Sequence, residues 1–591
     1  MVHILFDTST VGYDDFIQTP LNIQEGSGLE GIGNNGYTYF KGASPFQRGY
    51  GLQGGAGIGD VLRGLWRFFL PIVRRVGTTV SAEALNTGQR VLERVNQGES
   101  IKNALTSEGK KGIDTLLEQG GMPKQFGTGC QLKSRKDRKK NSCSNHKIII
   151  GKVAKKRDSI NSITNALDFF QIPPTNVSIS SSKVFEILPS NPLTDTPYHF
   201  KIHSSQNYID LSKCYLFTEF RIRKESANGT WVNLGENDNV APIQLIGHTF
   251  INNMRISING REVFNSNSLM AYKSYLSHEL SFSAGAKGSH LSASGYYGDN
   301  GLNLQSGPGF TSRKTRFGRS NTAQFMAKID ADLFNQPLYL INQCEIDIEI
   351  LPNESRFVLI APPTAPGIPQ TNRYQFEVIN CKLYVKKVDI MDGLALDIAK
   401  KLDMRPARYA IRKTMMKPLF ISQGRYEFNA NLFMDQIPRR VILGLVSNSD
   451  YVGAIDRSPF NFQPFNMREI SIIANGRSYP QAPYDLDFPN GKFARAFNDM
   501  NEAIGFANSL ESNGITFEQY AYTHCIFVFN LTNSGEDQSG LFDLIRNGTT
   551  AVNIKFSQPI PEGGVMLIVM GEADSLIMLD KNRTITSDTT I

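Results

Sequence analysis

The sequence contains no apolar run long enough to span a lipid bilayer. Residues 441–446 and 565–570 are far shorter than the roughly 20 residues that a membrane helix needs, and arginines interrupt the apolar stretch around Trp66. We therefore predict no transmembrane helix. Residues 1–7 also lack a basic region followed by an apolar core, so we expect no secretory signal and synthesis inside the cell.

Cysteine is scarce as well. The six cysteines are scattered over 591 residues, a pattern typical of reduced thiols rather than of a disulfide framework. Cys130, Cys143 and His146 are close in sequence, but a fourth ligand is missing and the spacing matches no common zinc site. We predict no metal and no cofactor.

Common catalytic motifs are missing too. The chain has no Gly-rich phosphate loop ending in Lys-Ser or Lys-Thr, no His-Glu-x-x-His and no Gly-x-Ser-x-Gly. The neighbours His278–Glu279 and His524–Cys525 have no identifiable third partner, and adjacent residues on a strand point to opposite faces. We interpret His524 as a core or boundary residue, and we predict that the protein is not an enzyme.

Basic residues are concentrated in one tract. The net charge is +7, and residues 133–157 contain many Lys and Arg but only one acidic residue, whereas the rest of the chain is slightly acidic. Such a tract is typical of nucleic-acid contact or nuclear import, and a solvated linker fits it equally well. The candidate residues are Lys133, Arg135, Lys136, Arg138, Lys139, Lys140, Lys155, Lys156 and Arg157.

The N-terminal part has three segments that differ in composition. Residues 1–60 include a Gly-rich stretch that predicts flexibility, residues 61–120 are helical in pattern, and residues 121–171 form a basic linker. Within 61–120, one helical face is apolar, arginines lie on another, and Pro71 predicts a kink. Such a helix could contact a membrane interface, DNA or neighbouring protein, and the pattern leaves these open. The apolar face comprises Leu62, Leu65, Trp66, Phe69 and Val73.

From residue 172 onward the chain has an all-β pattern. Apolar and polar residues alternate over 216–223 and 344–350, which predicts half-buried antiparallel strands of a β-sandwich. Residues 283–313 are rich in Gly, Ser and Asn, and we predict a long loop there.

A short motif occurs twice in this β-region. Asn259-Gly260 and Asn475-Gly476 each follow an apolar strand pattern, and Asn-Gly is a strong signal for a two-residue hairpin turn. Helical segments follow both, at 269–282 and 492–506. We predict a duplicated β-domain, with the copies at 172–388 and 415–591 and a partly helical connector at 389–414.

Several strings resemble one known family. Residues 172–179 and 207–211 are similar to the start of the double jelly-roll major capsid proteins of Polinton (Maverick) elements and adintovirus-like viruses. The strings that resemble the second jelly roll of that family are residues 458–462, the Asn475-Gly476-Arg477 turn, Asp487-Phe488, and residues 556–561 followed by 568–574. Residues 39–42 with 47–51 resemble an arm that precedes related capsid domains.

This resemblance implies a fold and a function. The fold is all-β, with two tandem jelly-roll sandwiches, short inserted helices and a Gly-rich, partly helical basic arm. The implied function is self-assembly, as pseudo-hexagonal homotrimers, into an icosahedral shell around double-stranded DNA. The location is then the virion, after synthesis in the host cytoplasm and assembly in the nucleus.

The resemblance also implies partners. These are penton and minor capsid proteins, transient membrane contact by the arm, and a viral cysteine protease. Cleavage by that protease would fall within residues 29–33 and 52–56, at Gly33, Gly55 and Ala56. Short strings of this kind also occur by chance in a Gly-rich sequence.

Two other functions remain open from the sequence. Jelly rolls also occur in carbohydrate-binding proteins and glycoside hydrolases, which would need a cleft with paired carboxylates and stacking aromatic residues. The chain has only two tryptophans, Trp66 and Trp231, and Trp66 lies outside the β-region. The third reading is a domesticated, capsid-derived cellular protein that no longer assembles.

Overall fold

Alternating burial defines the long strands of this protein. In the strand Tyr208–Glu225, buried Leu216 and Phe220 alternate with partly exposed neighbours, and the strand Ile346–Pro352 buries its three isoleucines in the same way. Period-two burial places one face of each sheet against a core. The predicted all-β fold is confirmed at this level.

The structure is a computed structural model, and it describes residues 175–299, 303–363, 370–535, 542 and 546–587. The strands in the first half of this region are β1 (Ile179–Ile187), β2 (Tyr198–Ile202), β3 (Tyr208–Glu225), β4 (Trp231–Val232), β5 (Ala241–Pro242), β6 (Ile251–Ile258), β7 (Arg261–Asn265), β8 (Ala323–Lys328), β9 (Ile346–Pro352), β10 (Leu359–Ile360) and β11 (Tyr374–Ile390).

Eight of these strands form two antiparallel sheets. Counted along the chain, the eight are β1, β2, β3, β6, β7, β8, β9 and β11. In one sheet the first strand pairs with the eighth, the eighth with the third, and the third with the sixth. In the other, the second pairs with the seventh, the seventh with the fourth, and the fourth with the fifth. This is the strand order of an eight-stranded jelly roll.

The second half repeats this order. Its strands are β12 (Ala407–Ile421), β13 (Glu427–Phe433), β14 (Arg440–Ser447), β15 (Met467–Ala474), β16 (Arg477–Tyr479), β17 (Ile526–Asn530), β18 (Thr550–Phe556), β19 (Val565–Leu579) and β20 (Ile585–Ser587). The sheets are β12-β19-β14-β17 and β13-β18-β15-β16, and β20 adds to β19. With β12 to β19 counted as first to eighth, every pairing matches the first half, so the predicted double jelly roll is confirmed.

Helices are inserted between the strands. They are α1 (Ile246–Thr249), α2 (Met270–Ser281), α3 (Ala284–Lys287), α4 (Pro308–Phe317), α5 (Ser355–Val358), α6 (Asp392–Met404), α7 (Asn448–Val452), α8 (Ala494–Ala503) and α9 (Phe517–Tyr522). Short 3₁₀ turns lie at His290–Ser294, Gly318–Ser320, Asp332–Asn335 and Phe488–Asn490. Of the helices described, none has the length and apolar character to cross a bilayer.

The predicted helices at 269–282 and 492–506 correspond to α2 and α8. The prediction of one long loop at 283–313 is wrong in part, because α3, a 3₁₀ turn and the start of α4 lie within this range. The Ser283 hydroxyl accepts a hydrogen bond from the amide of Ala286 and so caps α3, and Pro308 occupies the first turn of α4.

The two jelly rolls share one hydrophobic core. A single cluster of buried residues runs from Tyr198 in the first to Ile585 in the second. Between them, β11 ends at Ile390, α6 follows, and β12 begins at Ala407, inside the range that we assigned to the connector. The division of the chain at 172–388, 389–414 and 415–591 stays a prediction.

Candidate functional site

Helix α2 lies at the junction of the two jelly rolls. Ten of its twelve residues are buried, as expected for a helix with protein on nearly every side. The Tyr275 ring stacks on Phe460 of the second jelly roll, with ring centroids 4.2 Å apart. Across the same boundary, the Tyr272 hydroxyl donates a hydrogen bond to the carbonyl of Pro459 at 3.1 Å. The helix therefore contributes to the core of both jelly rolls.

A buried polar group, here called the junction cluster, lies beside the C-terminal end of α2 and comprises Glu279, Lys287, Tyr296, Asn513 and His524. Lys287 Nζ donates to Glu279 Oε1 at 2.8 Å, and the Tyr296 hydroxyl donates to Glu279 Oε2 at 3.0 Å. Lys287 Nζ also donates to the backbone carbonyl of Asn513 at 2.7 Å. All five side chains are buried, so one lysine links the two jelly rolls inside the protein.

Neighbouring charges determine the ionisation of the junction cluster. Desolvation acts to raise the pKa of Glu279, but the charge of Lys287 and the hydrogen bonds from Lys287 and Tyr296 hold that pKa below its usual value. Burial lowers the pKa of His524. Its Nε2 lies 3.3 Å from the Tyr275 hydroxyl, and its Nδ1 lies 2.8 Å from the hydroxyl of Thr523. The cluster is thus an ion pair beside a neutral histidine.

Glu279 and His524, for which the sequence offered no partner, lie together in the structure. Glu279 Oε1 is 4.0 Å from His524 Nε2. Glu279 belongs to helix α2 rather than to a strand, and His524 precedes β17. Because the two residues come from different jelly rolls, no local sequence pattern could reveal this contact. His524 is buried, as we interpreted it.

A cavity of 320 Å³ adjoins the junction cluster. On its wall, the Arg313 guanidinium binds Asp299 at 3.2 Å, and both side chains are almost fully buried. The side-chain amide of Gln519 donates to the carbonyl of Asp299 at 2.8 Å, which ties this wall to the second jelly roll. The lining includes Tyr275, Glu279, Lys287, Asn513 and His524.

A second buried group, here called the histidine cluster, comprises His248, Lys273, His278, Asp330 and Asp332. Lys273 Nζ lies 2.9 Å from Asp330 and 3.8 Å from Asp332. The two imidazole centroids are 4.4 Å apart. Burial, together with the charge of His278, lowers the pKa of His248 to about 3, so this imidazole is neutral near pH 7.

These two clusters do not have the geometry of a glycoside hydrolase. Such an enzyme needs two carboxyl groups facing a sugar in an open cleft. Here Asp330 and Asp332 are buried and both face Lys273, while Glu279 binds Lys287. Within the described part of the chain, no group of His, Cys, Asp and Glu side chains could hold a metal ion. In both arrangements, a lysine neutralises the charge of buried carboxylates.

Helix α8 is the counterpart of α2 in the second jelly roll, and it is far less buried. Only Ala496, Met500 and Ala503 of its ten residues are buried. Beside it, Phe517 of α9 stacks on Phe493 at 4.3 Å and contacts Phe497 at 5.4 Å, yet remains 43% exposed. We call Phe493, Phe497 and Phe517 the aromatic patch. Phe493 is buried, Phe497 is partly exposed and Phe517 is the exposed edge of this group, so the ring of Phe517 is the part of the aromatic patch that a second protein could cover.

The two predicted turns lie at equivalent places. Asn259-Gly260 connects β6 to β7 and Asn475-Gly476 connects β15 to β16, with positive φ at all four residues. The first turn also contacts the end of the second jelly roll, because Asn259 Nδ2 donates to the carbonyl of Arg583 at 2.9 Å.

The other predicted sites lie outside the described residues. These are the basic tract at Lys133, Arg135, Lys136, Arg138, Lys139, Lys140, Lys155, Lys156 and Arg157, the apolar face of Leu62, Leu65, Trp66, Phe69 and Val73, and the cleavage positions Gly33, Gly55 and Ala56.

One nematode protein is similar to most of this chain. "Uncharacterized protein F54H12.2" of Caenorhabditis elegans is 30% identical over 422 residues, which cover 69% of this chain and 97% of that protein. No family model matches the chain.

Several solved structures have a similar overall fold at low sequence identity. A chain from the structure of the Sputnik virophage is 12% identical with a TM-score of 0.49, and the alignment covers 73% of this chain and 94% of that one. The major capsid protein of mavirus is 12% identical with a TM-score of 0.42, over 77% and 97% of the two chains. The Faustovirus major capsid protein is 10% identical with a TM-score of 0.44, over 71% and 93%.

Proposed function

The chain belongs to the same family as the Caenorhabditis elegans protein F54H12.2, and we propose that it is a major capsid protein whose activity is self-assembly around double-stranded DNA. The observation that carries this proposal is the repeated strand order. Two complete jelly rolls follow one another, and the strand pairings of the first recur in the second. The sequence strings that resemble Polinton (Maverick) and adintovirus-like capsid proteins support the same function and suggest that lineage.

The contrast between α2 and α8 supports a homotrimer. Each chain has one completed junction, in which α2 of the first jelly roll is covered by the second. The equivalent helix of the second jelly roll is open, with the aromatic patch beside it. Three copies arranged head to tail would cover each open face with the first jelly roll of the next copy. Such a ring contains six sandwiches and would fill a pseudo-hexagonal lattice position in an icosahedral shell.

We propose double-stranded DNA as a partner because of the basic tract at 133–157. Its Lys and Arg residues would contact phosphates without reading sequence. Further proposed partners are penton and minor capsid proteins, a viral cysteine protease that cuts at Gly33, Gly55 or Ala56, and a membrane touched transiently by the arm. The proposed location is the virion.

The experiment is a measurement of mass and shape on the full-length chain. We expect light scattering during size exclusion to give three times the chain mass, and negative-stain images to show a hexagonal outline. A monomer over the whole concentration range, with no outline of six lobes, would contradict the capsid proposal.

A domesticated, capsid-derived cellular protein is the second candidate. The observation that favours it is the relative in a nematode, which is encoded by a cellular organism and matches over nearly its whole length. This candidate predicts the same double jelly roll without assembly, and the same light-scattering experiment separates the two.

A further inference from the structure

Lys287, Glu279 and Asn513 form a triad inside the junction cluster. Lys287 Nζ is fixed by three acceptors: the Glu279 carboxylate at 2.8 Å, the Glu279 carbonyl at 2.6 Å and the Asn513 carbonyl at 2.7 Å. All three residues line the same cavity, and none is more than 6% exposed. A primary amine, a carboxylate and a carboxamide are therefore confined together away from bulk water.

The carboxamide of Asn513 is held in an asymmetric way. Its Oδ1 accepts a hydrogen bond from the amide of Ile515 at 3.1 Å, which draws electron density from Cγ. Its Nδ2 is buried and has no hydrogen-bond partner among the described residues. A buried donor without a partner is costly, so this position calls for an explanation.

The backbone around Asn513 is fixed against the helix that carries Lys287. The amide of Ala284, at the start of α3, donates to the carbonyl of Ser512 at 2.7 Å. Gly514 has a φ of +85°, and a Cβ there would lie 3.3 Å from the Cβ of Ala284. The chain on either side of Asn513 thus packs directly on α3, which restricts where the carboxamide can move relative to Lys287.

We propose that Lys287 and Asn513 form an intramolecular isopeptide bond that joins the two jelly rolls covalently. Glu279 takes a proton from the Lys287 ammonium, and the neutral Nζ attacks Cγ of Asn513 to form the new N–C bond. Glu279 then returns this proton to Nδ2, and the Cγ–Nδ2 bond breaks with release of ammonia. Nζ loses a second proton as the amide forms, and Glu279 passes this proton to the departing ammonia. The Lys287 ammonium and the Asn513 carboxamide thus become a secondary amide plus an ammonium ion, so atoms and charge balance and no oxidant or reductant is needed.

The surroundings place the reacting groups together and support the attack on Cγ. Glu279 is within hydrogen-bond reach of the amine, as a general base must be, and the Tyr296 hydroxyl holds its other oxygen at 3.0 Å. Confining two reactants in a folded core replaces an encounter in solution by a high effective concentration. The hydrogen bond from Ile515 lies on the oxygen where negative charge develops during attack. The cavity gives the leaving ammonia a space.

The test is a mass measurement on the denatured full-length protein, with Lys287→Arg as the matched control. Arginine keeps the positive charge but its guanidinium does not attack amides. We expect the unchanged protein to have lost the mass of one ammonia molecule relative to its sequence, and Lys287→Arg to retain it. After trypsin, fragment 274–313, uncut after Lys287, should appear joined to fragment 496–546.

A second reaction of Asn513 would release the same mass. Asn513 precedes Gly514, and cyclisation to a succinimide also releases ammonia but does not involve Lys287. A mass loss that persists in Lys287→Arg, or tryptic cleavage after Lys287 in the unchanged protein, would overturn the isopeptide. Glu279→Gln should slow bond formation at least tenfold in freshly refolded protein. The bond lies within one chain, so its presence or absence is independent of the proposed assembly.

Discussion

Single buried positions show how closely the second jelly roll is packed. Gly444 lies in the central strand β14, where a Cβ would overlap the ring of Phe462. Gly571 in β19 is equally confined, because a Cβ there would lie 2.5 Å from Phe433. Aromatic rings thus lie where these two strands carry no side chain, and the glycines are required by packing rather than by backbone conformation.

Replacing Gly444 by alanine should lower the free energy of unfolding by about 1–3 kcal/mol, because the ring of Phe462 must move within a filled core. Gly393→Ala is the matched control. Gly393 lies in α6 with open space around its Cβ position, and alanine is the better helix former by up to about 1 kcal/mol. Chemical denaturation of the three proteins measures both effects, and equal stabilities would contradict the packing argument.

His248 makes the fold sensitive to acid. Unfolded, this histidine has the ordinary pKa of 6.5, whereas burial and the charge of His278 lower its pKa in the folded state to about 3. Between these values the unfolded chain binds the extra proton, so stability falls as the pH is lowered. One proton accounts for about 1.4 kcal/mol per pH unit. Asp330 and Lys273 are the other charged groups that act on it, and its Nε2 lies 3.1 Å from the backbone carbonyl of Lys328.

His248→Gln should therefore flatten the pH dependence of stability between pH 6.5 and pH 4, although His278 and His524 keep contributions of their own. Urea denaturation at several pH values measures this slope. His203→Gln, at an exposed histidine, serves as the control and should leave the slope unchanged. A slope that is the same in all three proteins would show that His248 does not remain neutral when buried.

At the level of elements, the duplicated hairpins have nearly identical backbones. The φ angles are 50° and 75° at Asn259 and Gly260, and 46° and 77° at Asn475 and Gly476. Left-handed values at both turn residues define the hairpin turn that matches strand twist. The two hairpins therefore have the same turn conformation.

Gly260→Ala and Gly476→Ala should each cost about 1 kcal/mol, and the two costs should be equal. A Cβ at either glycine meets nothing within 4 Å, so the cost is the left-handed backbone alone. Gly318→Ala, at a glycine with equally open space but a negative φ, should be neutral. A cost at only one of the two hairpins, measured by thermal unfolding, would show that their surroundings differ energetically.

The sequence predicted the strands and hairpins because their signals are local. Alternation over 216–223 and 344–350 and the Asn-Gly pairs are each readable within a few residues. The segment 283–313 was predicted as a loop from its Gly and Ser content, yet Arg313 there donates to the carbonyls of Pro242 and Tyr297 and pairs with Asp299. Contacts of this kind, rather than local propensity, support its helices.

The junction cluster could not be predicted for the same reason. Lys287 and Asn513 are 226 positions apart, and Tyr275 and His524 are 249 apart. The only signals in the sequence near this site were the neighbours His278–Glu279 and His524–Cys525, for which no third partner could be identified. Only the packing of one jelly roll on the other brings them together, so a search of single segments for catalytic or structural motifs does not find this site.

At the scale of the whole molecule, the aromatic patch leads to a prediction about assembly. Phe517→Asp places a charge on the proposed contact and should weaken trimer formation roughly tenfold or more, as expected for an aromatic residue at the centre of an interface. Tyr522→Asp is the control on the same helix, at a residue that is 56% exposed. Light scattering at several concentrations measures the effect, and equal trimer stability in both variants would remove the patch from the interface.

The basic tract leads to a prediction about DNA. Replacing Lys133, Arg135, Lys136, Arg138, Lys139 and Lys140 by glutamine should reduce affinity for double-stranded DNA, and the salt dependence should flatten by about 0.9 per lost phosphate contact on a double-logarithmic plot. Exchanging only the four lysines for arginine keeps the charge and should preserve binding. Titrations at several salt concentrations test this, and unchanged retention on DNA would remove the assignment.

The burial of α2 has a consequence for inheritance. Because Tyr272 and Tyr275 pack against Phe460 and Phe462 of the second jelly roll, neither half of the chain has a finished surface of its own. A recombination event or premature stop between the halves would expose these rings to solvent. The two halves must therefore be transmitted, and must change, together.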